Sequence, residues 1–104
     1  MKELICLRKE RLVIRVPEEV DHCFADEVRE TVDRILQTEN VSILEFDFKD
    51  TIFMDSSGIG LLMGRCKLMK SLGGEVVITN AGERIRKILI LSGIHKIIPI
   101  GREK

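Results

Sequence analysis

The sequence has 104 residues, 44% hydrophobic and 33% charged, enough for one folded domain over residues 1–104 whose core needs neither disulfides nor a structural metal. Seventeen basic and 17 acidic side chains cancel to zero net charge, with Trp and Tyr absent, which argues against the electrostatic attraction and base stacking of nucleic-acid binding. No apolar run approaches the roughly 20 residues of a membrane span and Met1-Lys2-Glu3-Leu4 opens no signal peptide, so no membrane association and a cytoplasmic setting are expected.

The chain opens on two β-rich runs, Leu4 to Arg8 and Leu12 to Val16, joined by the charged Lys9-Glu10-Arg11 and closed by Pro17, the pattern of a hairpin. Asp21 then stands where it can cap a helix with apolar positions Ala25, Val28, Val32, Ile35 and Leu36, while Arg29, Glu30, Asp33 and Arg34 face water. From Ile43 to Phe48, Leu44, Phe46 and Phe48 alternate with Glu45 and Asp47. That alternation predicts a strand in a sheet covered by helices on one face and wetter on the other.

A second helix is predicted from about Ser57 to Leu72, stopped by Gly73-Gly74. A strand follows over Glu75 to Thr79. Asn80 with Glu83 three residues on reads as a capping box for a third helix, which turns Ile85, Ile88 and Leu89 inward and ends at Ser92-Gly93. Lys96 to Ile100 is predicted as a last short strand. The order β-β-α-β-α-β-α-β predicts an α/β fold, with a mostly parallel sheet and right-handed crossovers.

Function in such sheets gathers where strands hand over to helices, and the junction from Thr51 to Gly60 is the most unusual here. Asp55, Ser56 and Ser57 can each cap a helix. One cap uses one side chain, so a serine is left over at the surface. Gly58 and Gly60 permit close backbone approach, and Gly60 and Gly64 read as helix-packing glycines. The second helix is apolar on two faces, with Ile59, Leu62, Met63, Cys66 and Met69 in one stripe and Leu61, Leu68 and Leu72 in another. The second stripe fits a protein-binding patch, a dimer interface or burial beneath another element.

Other chemistry finds less support. The residues two before Ser56 and Ser57 are Met54 and Asp55, so the Gly-x-Ser-x-Gly elbow of hydrolases is absent, and neither His22 nor His95 is tied to Ser56 by sequence. Gly58-x-Gly60-x-x-x-Gly64 begins inside the helix rather than in the loop where a nucleotide phosphate would be cradled. Asp47, Asp50 and Asp55 lack the neighbouring acids and lysine of a phospho-aspartate site and read as solvated loop acids. Cys6, Cys23 and Cys66 show no metal-ligand or disulfide spacing. Arg65, Lys67 and Lys70, like Arg84, Arg86 and Lys87, read as solvated helix faces.

Phe53-Met54-Asp55-Ser56-Ser57-Gly58-Ile59-Gly60, with Gly64-Arg65 after it, resembles the phosphorylation signature of anti-sigma factor antagonists in the STAS domain family, of the sporulation stage II protein AA type. Glu19-Val20-Asp21-His22, Leu72 to Val77 and Leu91 to Ile98 extend the likeness over nearly the whole chain. The resemblance implies a noncatalytic partner switch without cofactor or metal. Its unphosphorylated form would bind an anti-sigma factor that is an ATP-using serine kinase and so release a sigma factor. Phosphorylation of Ser56 would end that binding, and a serine phosphatase would restore it. The partner surface so implied comprises Asp21, Asp55, Ser56, Ser57, Gly58, Ile59 and Leu61. A noncatalytic STAS scaffold, in a stress-signalling or lipid-transport complex, is the alternative. The chain departs from the family at Pro17-Glu18, where a glycine is common, and at Gly101 to Lys104, where a further helix is usual. The second departure leaves the sheet less covered and would favour a homodimer.

Overall fold

The computed structural model describes residues 4–101; Met1 to Glu3 and Arg102 to Lys104 lie outside the described residues. Strands β1 (Ile5–Arg8), β2 (Arg11–Arg15), β4 (Ile43–Asp47) and β6 (Glu75–Thr79) form one sheet in the order β1-β2-β4-β6. The first pair is antiparallel and the other two are parallel. Helices α1 (His22–Thr38), α2 (Ser56–Ser71) and α3 (Glu83–Ser92) supply the crossovers. Leu12 and Ile14, Leu44 and Phe46, Val76 and Ile78 lie opposite one another on adjacent strands and are buried with Val28, Val32, Leu62, Met69, Ile85 and Leu89 of the helices. The helices thus cover one face, as the alternation in β4 requires. Among the described residues no helix is long and apolar enough to cross a membrane.

The helix-free face is not simply wet. Glu45 is fully buried at the centre of the sheet. Arg11 of β2 donates to it from Nε at 2.8 Å and pairs through Nη2 at 2.7 Å, while Thr79 of β6 donates from Oγ1 at 2.6 Å. The expectation that Glu45 faces water fails because register sets a cation and a hydroxyl on either side of it. A buried carboxylate persists only with such partners.

Two further strands escape the sequence pattern. β3 (Glu19–Val20) and β5 (Phe53–Met54) pair in parallel as a separate two-stranded sheet; runs of two residues carry no periodicity to detect. The strand expected over Lys96 to Ile100 is instead a 3-10 turn at Ile94–Lys96 and a single parallel bridge from Ile100 to Ile78. Gly93, at φ 81°, turns the chain, burial of Ile94 and Ile98 draws it under α3, and Pro99 has no N–H to extend a ladder.

The capping box expected at Asn80 and Glu83 does not form. Gly82 is the residue before α3 and offers no side-chain cap; Asn80 adopts φ 57° and donates from Nδ2 to Asp47 Oδ1 at 3.0 Å. Gly60 and Gly64 are not packing glycines, since a Cβ on either would meet nothing within 4 Å. In α2 the second apolar stripe is only partly covered: Leu61 is buried and Leu68 half-buried, while Leu72 is 55% exposed, and Leu68 and Leu72 line an open groove with Leu36 of α1. Arg65, expected in solvent, is buried on that same side.

Candidate functional site

The β3–β5 sheet brings two helix starts together. Ile52 and Phe53 donate from their backbone N–H to Glu18 O at 2.8 and 3.1 Å, and Asp55 donates to Val20 O at 3.1 Å. Val20 pairs with Met54, so the residues that follow each, Asp21 and Asp55, begin α1 and α2 side by side. Both act as N-caps in extended conformation. Asp21 Oδ1 accepts from Phe24 N at 3.0 Å, and Asp55 Oδ1 accepts from Ser57 N at 2.9 Å.

Asp55 also accepts a hydrogen bond from Ser57 Oγ. The cap is therefore an acid, and it engages the second serine. Ser56, the first residue of α2, is exposed, and its hydroxyl has no hydrogen-bond partner among the described residues. Of the two serines that sequence leaves as candidates, one is occupied and one is free.

The carboxyl of Asp55 is held below the usual carboxylate range. The Ser57 hydroxyl contributes most, followed by the Ser57 backbone N–H; partial burial works against them, and the Gly58 N–H and the nearby charge of His22 assist. His22 was not tied to this junction by sequence, and the folded chain supplies the link.

Gly58 sits where α2 crosses β3 and β5. A Cβ there would lie 2.3 Å from Met54 Cγ, 2.5 Å from Met54 Sδ and 3.2 Å from Val20 Cγ1. Gly58 and Leu61 are buried, around a small apolar cavity that they share with Val20, Phe24 and Met54. Ile59 is half-buried. Of the residues the sequence singles out, Asp21, Asp55, Ser56 and Ser57 form the rim of the site, while Gly58 and Leu61 support it from beneath. Sequence reasoning missed Ile52 and Phe53, which are about half exposed next to the rim. Two bulky apolar residues in a loop between Thr51 and Met54 are the signal that could have found them.

Chemically, the arrangement presents a free hydroxyl at a helix start, where the backbone dipole favours an added anion. Among the described residues no base hydrogen-bonds the Ser56 hydroxyl, and the carboxylate next to it in sequence, Asp55, is committed to the cap. Among the described residues no three His, Cys, Asp or Glu side chains converge as metal ligands.

Residues 6–103 match the STAS domain family. A Paenibacillus polymyxa protein named anti-sigma F factor antagonist is 36% identical over 89 residues, covering 86% of this chain and 76% of its own length. The solved structure of the anti-sigma factor antagonist SpoIIAA in its unphosphorylated form aligns with a TM-score of 0.84 and 26% identity, over 93% of this chain and 85% of that one. The Bacillus cell fate determinant SpoIIAA in its phosphorylated form gives a TM-score of 0.76 at 26% identity, over 93% and 88%.

Proposed function

The chain belongs to the STAS domain family, and from that membership we propose that it is an anti-sigma factor antagonist of the cytoplasm, switched by phosphorylation of Ser56. In its unphosphorylated form it binds an anti-sigma factor that is also a serine kinase, and a sigma factor is released. The observation that carries this reading is the division of labour at the start of α2: Asp55 caps the helix and holds Ser57, which leaves the Ser56 hydroxyl exposed and unbonded. The names of similar proteins support the antagonist role, and a phosphorylated form of one of them supports the switch.

The chain itself is no catalyst in this scheme. The kinase transfers the γ-phosphoryl of ATP to Ser56 Oγ; the new Oγ–P bond replaces the bond to ADP, and the hydroxyl proton passes to the kinase. A serine phosphatase hydrolyses that Oγ–P bond, restoring the Ser56 hydroxyl and releasing inorganic phosphate. The added phosphate carries about −1.5 to −2 charges. At an exposed helix start it is welcome by roughly 0.3–1 kcal/mol, so the fold survives. The partner surface does not: the dianion stands beside Asp55 and Asp21 and must be desolvated on binding. Interface penalties of roughly 2–5 kcal/mol weaken affinity by tens to thousands of fold.

Wild type and Ser56→Asp, used as parallel baits in native lysate with ADP present, test this reading. Capture of a serine-kinase anti-sigma factor by wild type, and its loss with Ser56→Asp, is the expected result. Identical partners on both baits, or only other STAS chains, would overturn the switch in favour of a scaffold. The two baits should melt within a few degrees of each other; a large loss of stability in Ser56→Asp would replace an interface effect with local unfolding.

A further inference from the structure

The outward side of α3 carries more than the fold requires. Ile85 and Leu89 occupy the core, yet Ile90 is about half exposed and Leu91 is 87% exposed. Leu91 stands four residues after Lys87 and seven after Arg84, so the three form one line along the helix. Arg84, Arg86 and Lys87 all sit in its N-terminal half, the end where the helix dipole disfavours cations. From Arg84 to Gly101 the chain holds no Asp or Glu, and among the described residues none of these three cations has an ion pair. An apolar knob beside uncompensated positive charge fits an acidic surface with an apolar floor. A second α3 is the wrong counterpart, because it would set cation against cation.

The same chain carries a surface of the complementary kind. The open groove between the later turns of α1 and α2 encloses about 230 Å³ and is lined by Leu36, Leu68 and Leu72, with Asp33 and Gln37 on its α1 wall. Glu30 and Asp26 continue that wall one and two turns earlier, and both are exposed. Asp26 pairs with Arg29, and Asp33 lies 3.5 Å from Arg65. Glu30 has no ion pair among the described residues. Lys70 answers the dipole at the end of α2, whereas α1 has no basic side chain in its last turn. Over the stretch from Glu18 to Asp33, seven acids meet one arginine. Because α1 packs on α2 while α3 packs on β5 and the 3-10 turn, knob and groove stand apart on one molecule. We propose that Leu91, with Ile90 beside it, seats in the α1–α2 groove of a second copy, a head-to-tail contact that lays Arg84 and Lys87 against the acidic α1 wall. Unlike surfaces meeting in this way build rings or open chains rather than two-fold dimers. The contact is small, so the association is weak and reversible. It engages the ends of α1 and α2 remote from Asp21 and Asp55, and Ser56 stays accessible in the assembly. Nothing in it depends on the role given to Ser56.

Sedimentation velocity on the chain alone, followed up to about 1 mM, tests the contact with two surface variants. Leu91→Gln removes the knob and keeps the groove; Leu72→Gln spoils the groove and keeps the knob. The parent should sediment faster as concentration rises, and less so in high salt, where its charges are screened. Each variant alone should stay monomeric at concentrations where the parent associates. Mixed in equal parts, the two should form a dimer and nothing larger, since one knob and one groove remain between them. A parent that is monomeric throughout overturns the proposal and leaves the α3 face to a different partner. Variants that still associate alone overturn it too, as does a mixture that stays monomeric. Should Leu72→Gln not fold, Gln37→Arg sets a cation on the exposed groove wall and blocks the same groove by charge. No kinase enters the measurement, so a negative result leaves the role of Ser56 standing.

Discussion

The junctions that launch α2 and α3 both leave the same end of the molecule from parallel strands, yet they start their helices by different means. At α2, Asp55 reaches forward to the Ser57 N–H and hydroxyl. At α3, Gly82 brings no side chain to the first turn, and the polar residue nearby, Asn80, is turned away to Asp47 on β4. A cap is thus decided by competition. Asp55 has no better offer than its own helix, whereas Asn80 does. The spare serine at α2 exists because an acid took the capping role; α3 has neither the cap nor the spare hydroxyl.

Crowding at α2 gives the largest expected effect. Gly58→Ala drives a methyl group into Met54 and Val20, and should destabilise by about 1–3 kcal/mol in urea unfolding. The same change at Gly82, where a Cβ meets nothing within 4 Å, has no such cost. If Gly58→Ala unfolds like the parent, the close approach at α2 is not a constraint.

Removing the cap comes next. Asp55→Ala should lower the melting midpoint by about 4–8 °C, the usual worth of one side-chain cap in a domain of this size. The sign of its pH dependence follows from the lowered pKa. A carboxylate held below its unfolded value stabilises above the ordinary carboxylate range, and that contribution disappears as pH falls through the folded-state value. The gap between parent and Asp55→Ala should therefore persist at neutral pH and close in strong acid. A gap that widens on acidification would refute the assignment.

Adding a cap to α3 is the converse, and smaller. Gly82 already has the extended conformation of an N-cap (φ −71°, ψ 176°), so Gly82→Asp should stabilise by a few tenths of a kcal/mol. Smallest of all is Ser56→Ala, within about 0.5 kcal/mol of the parent, because an exposed hydroxyl without a partner contributes little. A drop as large as that of Asp55→Ala would mean that Ser56, not Asp55, caps α2.

The periodic parts of the molecule were legible in the sequence. Val28 and Val32, or Leu44 and Phe46, announce their elements because each is one period from the next, and local spacing suffices. Asp55-Ser56-Ser57 announced a helix start and a surplus serine, though not which residue would cap. What stayed hidden depends on residues far apart in the chain. Glu45 looks solvated until strand register brings Arg11 and Thr79 alongside, and Arg65 looks solvated until α1 lays Asp33 against it. Asn80 matched a capping signature, but Asp47, 33 residues earlier, outbid the helix. The Lys96 to Ile100 run has the composition of a strand, and a left-handed Gly93 turned most of it aside.

The two-residue pairing of β3 with β5 has a consequence for how the site comes into being. Val20 and Met54 are separated by 34 positions, and closing that loop costs entropy before any contact returns it. The first turns of α1 and α2 gain their mutual placement in that one closure. Protection of the Phe24 and Ser57 amides from solvent exchange should then rise and fall as a unit, with one opening free energy for both. The side-by-side arrangement of Asp21 and Asp55 belongs to the folded chain; a short peptide spanning Thr51 to Gly60 would carry the motif without it.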